Sequence, residues 1–161
     1  MRIAGFLKHS SVNGDGIRAV VFFQGCKHGC KGCQNPDTWN FEGGTEVTID
    51  DVMTAIHSAK FITGVTLSGG DPLYQAGDAL IIAKKCRELG LNVWVYTGFT
   101  YEEILDGQAG KEAIELLDNV DVLVDGMFEI DKLTTELPYR GSSNQRLLRL
   151  SQKEKGINNN D

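Results

Sequence analysis

The chain has 161 residues and a mass of 17.6 kDa, enough for one compact domain that buries roughly 68–70% of its unfolded surface without disulfides. Sixteen Lys and Arg against 22 Asp and Glu leave a net charge of −6, which excludes a general polyanion binder. Charged residues at 24% and hydrophobic residues at 41% exclude a coiled coil and a disordered chain. Met1 to Ser10 lacks the apolar core of a secretory leader, and the densest apolar run, Ala19 to Phe23, is too short to span a bilayer. The expected compartment is the cytoplasm.

In chain order, Ile17 to Phe23 is β-branched and aromatic and runs into Gln24-Gly25, which predicts a buried strand. Thr48-Ile49-Asp50-Asp51 reads as a capping box, and Val52, Ala55, Ile56 and Ala59 then recur at helical spacing up to about Lys60. Gly64 to Leu67 predicts the next strand, closing on Ser68-Gly69-Gly70-Asp71-Pro72. Ala79, Ile82, Ala83, Cys86 and Leu89 share one helix face, and Gly90 suits a left-handed stop. Leu91 to Tyr96 is a third strand, broken at Thr97-Gly98. Thr100-Tyr101-Glu102-Glu103 opens another helical stretch, split by Gly107 and Gly110. Val120 to Gly126 is a fourth strand ending in a polar, glycine-bearing loop.

Strands alternating with helices imply an α/β fold with parallel pairing, either an open sheet or a compact incomplete (β/α) barrel. Such folds carry their sites at the C-terminal ends of the strands. The expected domain spans residues 1–150, and the polar stretch Ser151 to Asp161 is expected to be a mobile tail.

Of four cysteines, Cys26, Cys30 and Cys33 crowd into eight residues and Cys86 stands far off. That is a poor disulfide framework and a good ligand cluster. Three thiolates around a four-iron, four-sulfide cubane leave one iron free of protein, and glycines let the backbone curl round it. The alternative is structural zinc with His28 as fourth ligand, in a non-enzymatic interaction module; zinc sites favour a second cysteine or histidine pair, which is missing here. His28 is otherwise expected to face solvent or to stand beside the cluster, and His9 and His57 have no ligand duty.

With these residues in view, the chain resembles the radical S-adenosylmethionine enzymes and, among them, the activating proteins of anaerobic ribonucleoside-triphosphate reductase. The resemblance rests on Val12-Asn13-Gly14-Asp15-Gly16-Ile17-Arg18, on Gly25 to Cys33 with Gln34-Asn35-Pro36-Asp37-Thr38-Trp39, on Ser68 to Leu73, on Asp121 to Gly126, and on Arg140 to Arg146. Gly32 stands where most of the superfamily has an aromatic residue. Met127 stands where pyruvate formate-lyase activases have lysine.

The resemblance implies a [4Fe-4S] cluster on Cys26, Cys30 and Cys33, and S-adenosyl-L-methionine as cofactor. Backbone at Gly32, Cys33 and Gln34 would meet the adenine, and Ser68, Gly69, Gly70 and Asp71 the methionine amine. Thr97 and Asp125 are candidates for ribose or methionine contacts, with helix capping as the alternative. Arg18 and the Arg140 to Arg146 segment would meet the partner or the cofactor carboxylate, or lie on the surface. The implied activity is that of an oxidoreductase in which a 5′-deoxyadenosyl radical installs a glycyl radical on the reductase large subunit. The electron would come from flavodoxin or a similar low-potential donor, with no nucleic acid or membrane involved. A compact enzyme of the same superfamily acting on a small molecule, such as a deazaguanine synthase, is the nearest alternative.

Overall fold

A computed structural model describes residues 1–150; the expected tail lies outside the described residues. Seven strands build one sheet: β1 (Arg2–Ser10), β2 (Arg18–Phe23), β3 (Thr45–Glu46), β4 (Gly64–Gly69), β5 (Asn92–Tyr96), β6 (Val122–Asp125) and β7 (Arg146–Arg149), in the order β3-β1-β2-β4-β5-β6-β7. The centre, β2-β4-β5-β6, is parallel, with Arg18 opposite Gly64, Gly64 opposite Asn92, and Trp94 opposite Val122. Antiparallel pairs flank it, β1 on β2 and β7 on β6. The four strands read from the sequence are this parallel centre, and β3 and β7 are the two unjoined edges, as in an incomplete barrel.

Four helices make the crossovers: α1 (Ile49–Ser58), α2 (Ala76–Glu88), α3 (Tyr101–Leu105) and α4 (Lys111–Leu117). Both capping boxes form, Thr48 with Asp51 at α1 and Thr100 with Glu103 at α3. Gly90 ends α2 at φ +77°, as its sequence position suggests.

Alternation along the strands sorts the side chains onto two faces. Ala19, Val21, Phe23, Val65, Leu67, Val93, Val95, Leu123 and Leu148 join the buried residues of all four helices in one core. Trp94, Val122, Val124 and Leu147 form a smaller cluster, with Tyr96 and Tyr139 packed against it. That second face also carries polar groups, and there the cavity described below opens.

Arg18 is the buried cation of this face, 1% exposed at the start of β2. Its Nε donates to Thr66 Oγ1 at 2.8 Å, and its Nη atoms donate to the carbonyls of Asp15 (2.9 Å), Val65 (3.0 Å) and Asn92 (2.9 Å). The guanidinium lies 5.3 Å from the Trp94 ring centroid, and burial pushes its pKa down to about 10. Arg18 therefore ties β2, β4 and β5 together at the end opposite the cysteines, which corrects the expectation of a partner, cofactor or surface contact. Removing it strands buried carbonyls, so Arg18→Ala is expected to lower stability by about 2–4 kcal/mol in urea unfolding. A loss below about 0.5 kcal/mol, the range of an ordinary surface substitution, would contradict this placement.

Candidate functional site

A cavity of about 510 Å³ lies at the C-terminal ends of the parallel strands. Cys26, Cys30, Cys33 and Gln34 line it from the loop after β2, Ser68, Gly69 and Gly70 from the end of β4, Thr97 and Gly98 from the end of β5, and Gly126 from the end of β6. Strand polarity alone gathers four loops that are far apart in sequence.

The cysteine loop is anchored at its root, where Gly25 N–H donates to Thr38 O at 2.6 Å and Cys26 N–H to Trp39 O at 3.3 Å. Gly29 at φ +62° and Gly32 at φ +78° turn the chain. Asn35 N–H donates to Cys33 Sγ at 3.4 Å, and the main chains of His28 and Phe128 act to lower the Cys26 and Cys30 thiols against the larger effect of burial. Amide donors to sulfur stabilise thiolates and tune an iron–sulfur centre. The donor set therefore fits a cluster held by three thiolates. Burial pushes the Cys26 thiol up to about 11 and raises that of Cys30, so in the metal-free protein Cys26 keeps its proton until iron displaces it. Cys86 is fully buried in α2 and belongs to the core.

The Ser68 to Asp71 turn owes its glycines to backbone packing. Gly69 sits at φ +108°, and a Cβ there would stand 2.3 Å from Phe23 N; at Gly70 it would stand 2.6 Å from Gly25 O and 2.8 Å from Thr38 O. Gly70 N–H donates to Phe23 O at 2.8 Å and Asp71 N–H to Gly25 O at 3.0 Å. The glycines thus seat the end of β4 against the root of the cysteine loop, a reason additional to the ligand clearance expected from sequence.

Asp71 is fully buried and does not face the cavity. Its Oδ1 accepts from Leu73 N at 2.9 Å, and its Oδ2 from Thr97 Oγ1 at 2.8 Å, Gly98 N at 2.9 Å and His28 Nε2 at 2.7 Å. Asp125 is likewise buried, accepting from Tyr101 N at 2.7 Å and from Arg146 Nε at 3.0 Å. Arg146 also reaches Glu102 at 2.6 Å, and these acceptors raise its pKa. Both carboxylates, expected to touch the cofactor, are occupied within the protein, and Arg146 is spent on Asp125. Gly32 stands behind the wall, where a Cβ would meet Ile130 Cδ1 at 2.9 Å. Arg140 does line the cavity. His28 is neither solvent-facing nor idle, because it joins the cysteine loop to Asp71.

The sequence reading did not assign the aromatic and apolar wall. Tyr96, Phe128, Leu133, Leu137 and Tyr139 line the cavity, four of them from the excursion between β6 and β7. The available signal was the long stretch after Gly126 with no helical periodicity. Burial pushes the Tyr96 phenol up, keeping it a neutral hydrogen-bonding group.

A family model described as a 4Fe-4S single cluster domain matches residues 12–148. Proteins named anaerobic ribonucleoside-triphosphate reductase-activating protein align over most of the chain. The one from Enterobacteria phage T4 is 41% identical over 142 residues, covering 84% of this chain and 86% of that protein. Those from Pasteurella multocida and Escherichia coli K12 are 37% and 36% identical, covering 88% and 83% of this chain and 92% and 89% of theirs. The chain belongs to this activating-protein family. A crystal structure of QueE from Escherichia coli is also similar, at TM-score 0.49 and 17% identity over 62% of this chain and 53% of that one, too slight a likeness to carry an argument.

Membership gives this activating-protein homologue a 4Fe-4S domain that includes Cys26, Cys30 and Cys33, and the structural-zinc alternative falls with it. No helix among the described residues is long and apolar enough to cross a membrane. In the metal-free protein, Cys26 is expected to alkylate near pH 8 about 100-fold more slowly than an unperturbed thiol. The rate is expected to climb about tenfold per pH unit toward a pKa of about 11. Iodoacetamide labelling with peptide mapping reads this, and an ordinary thiol's rate near pH 8 would contradict it.

Proposed function

We propose that this chain activates an anaerobic ribonucleoside-triphosphate reductase, using a [4Fe-4S] cluster and S-adenosyl-L-methionine to place a glycyl radical on the reductase large subunit. The observation that carries the reading is one cavity lined by all three cysteines and the Ser68–Gly70 strand end, in a chain whose relatives bear that activating-protein name. The cluster held by Cys26, Cys30 and Cys33 would supply an electron at low potential for reductive cleavage of S-adenosyl-L-methionine, the radical chemistry by which a glycine Cα hydrogen would be removed. The electron donor is flavodoxin or a protein of similar potential.

The chain's own contribution is placement and exclusion of water. Cys26, Cys30 and Cys33 hold the cluster and leave one metal position open for the cofactor. Ser68, Gly69 and Gly70 offer hydroxyl and carbonyl acceptors to its methionine amine, with Thr97 close to its ribose or methionine. The backbone of Cys33 and Gln34, which line the cavity, meets its adenine, and Gly32 shapes the turn that leads to them. Asp71 and Asp125 act at one remove, by fixing the loops that carry these groups. Phe128, Leu133, Leu137 and Tyr139 form the apolar wall on the side where a glycine-bearing segment of the reductase enters, which suits a reaction whose radical water and solutes must not reach.

The test is anaerobic reconstitution with iron and sulfide, reduction in the presence of S-adenosylmethionine, chromatography for 5′-deoxyadenosine, and EPR after adding the reductase large subunit. Wild type is expected to release the nucleoside and yield a glycyl-radical doublet, and Cys30→Ala to yield neither. Nucleoside release with no doublet would contradict the activase assignment and favour a small-molecule substrate. Failure of wild type to assemble a cluster would contradict the whole reading.

A further inference from the structure

His28 lies between Cys26 and Cys30, yet the proposed activity gives it no duty. Its side chain is 10% exposed, with Nε2 2.7 Å from Asp71 Oδ2. A carboxylate oxygen only accepts, so Nε2 carries the proton and donates. The ring is held edge-on to Phe99 at 4.8 Å and tilted to Tyr74 at 5.5 Å between centroids. Gly98 makes room for it, since a Cβ there would stand 2.5 Å from His28 Cδ2. The same residue follows Cys26 by two places in the loop that carries all three cysteines.

One residue therefore belongs to the cluster-ligand loop by its backbone and meets the buried Asp71 with its ring. Asp71 reaches both cofactor walls: it follows Ser68, Gly69 and Gly70 directly in the chain, and the same Oδ2 that accepts from His28 also accepts from Thr97 Oγ1 at 2.8 Å and Gly98 N at 2.9 Å. A ring that only filled space would need neither a donor nitrogen nor a buried acceptor facing it.

We propose that His28 is a positioning residue, which through its Nε2–H to Asp71 sets the cysteine loop at the distance from the Ser68–Gly70 and Thr97 walls that S-adenosylmethionine needs to span. The proposal rests on the cofactor assignment above. It assigns the imidazole no proton transfer and no metal bond. With the ring bond lost, the three cysteines still gather a cluster, but among the described residues the part of the loop that carries them is tied to the Ser68–Gly70 and Thr97 walls only at its root, through the main-chain bonds of Gly70 and Asp71 to Phe23 and Gly25. A displacement of about 1 Å can cost about 100-fold in a positioned reaction.

Two variants separate the hydrogen bond from the packing. His28→Phe keeps a ring against Phe99 and Tyr74 and removes the donor, whereas His28→Gln keeps an amide donor. Each is reconstituted anaerobically, assayed for iron and sulfide, reduced, and titrated with S-adenosylmethionine while the EPR spectrum of the reduced cluster is followed. His28→Phe is expected to bind iron like wild type and to need about tenfold more cofactor for the same spectral change, with His28→Gln recovering most of the loss.

An unshifted midpoint in His28→Phe overturns the proposal. Loss of iron from both variants does so too, because it would make His28 a residue of cluster assembly. Where His28→Phe does not fold, His28→Gln decides alone: a midpoint within about threefold of wild type supports the donor role, and a shift of about tenfold or more overturns it. If the wild-type spectrum does not respond to S-adenosylmethionine at all, the cofactor reading itself has failed, and this proposal with it.

Discussion

A carboxylate with no access to water, Asp71, must find all its hydrogen bonds inside the protein, and the four donors it finds belong to three different loops. Burying such a charge is tolerable only when it is fully hydrogen-bonded. The requirement therefore acts in reverse on the donors. Leu73 N starts the turn before α2, Thr97 and Gly98 end β5, and His28 sits in the cysteine loop, so each is held where Asp71 needs it. The cavity wall is a consequence of satisfying one buried group.

Asp125 repeats the device at β6. It accepts from Tyr101 N, the first turn of α3, and from Arg146 at the start of β7. Asp125 ends β6 and Asp71 follows β4 by two residues; both take an amide at the start of a helical element, and neither faces the cavity. With strand-end carboxylates committed to the scaffold, the cavity is left to thiols, hydroxyl groups, backbone and an apolar wall. That composition suits chemistry in which a cofactor supplies the reactive species and the protein supplies orientation. The opposite end of the sheet is closed by a cation, Arg18, whose partners are mostly carbonyls.

The sequence made the parallel centre legible because β2, β4, β5 and β6 are mostly buried and read as short β-branched, aromatic or alternating runs that each close on a glycine-bearing loop. It also placed three cysteines and the Ser68–Gly70 turn at such ends, where the structure brings them together. β1 escaped notice because register shifts between Ile3 and Gly5 and between Leu7 and Ser10 break the alternation by which a strand is recognised. β7 escaped because only Leu147 and Leu148 are apolar between two arginines. Residue type marked Asp71, Asp125 and Arg18 as hydrogen-bonding groups, but which donors or acceptors they would meet is set by strand order, which spacing along the chain does not encode. The same holds for Gly69 and Gly70, whose backbone neighbours Phe23 and Gly25 are more than forty residues away in sequence.

The claim that Asp71 holds the site together is tested most directly by hydrogen exchange at its two main-chain donors, Leu73 N–H and Gly98 N–H, in the metal-free protein and in Asp71→Asn. Asparagine keeps the shape and brings an NH₂ group against donors that had faced a carboxylate. The account predicts that both amides exchange about 100-fold faster in the variant while Val65 and Leu67 in β4 keep their protection. Equal protection at Leu73 and Gly98 in the two proteins would contradict it.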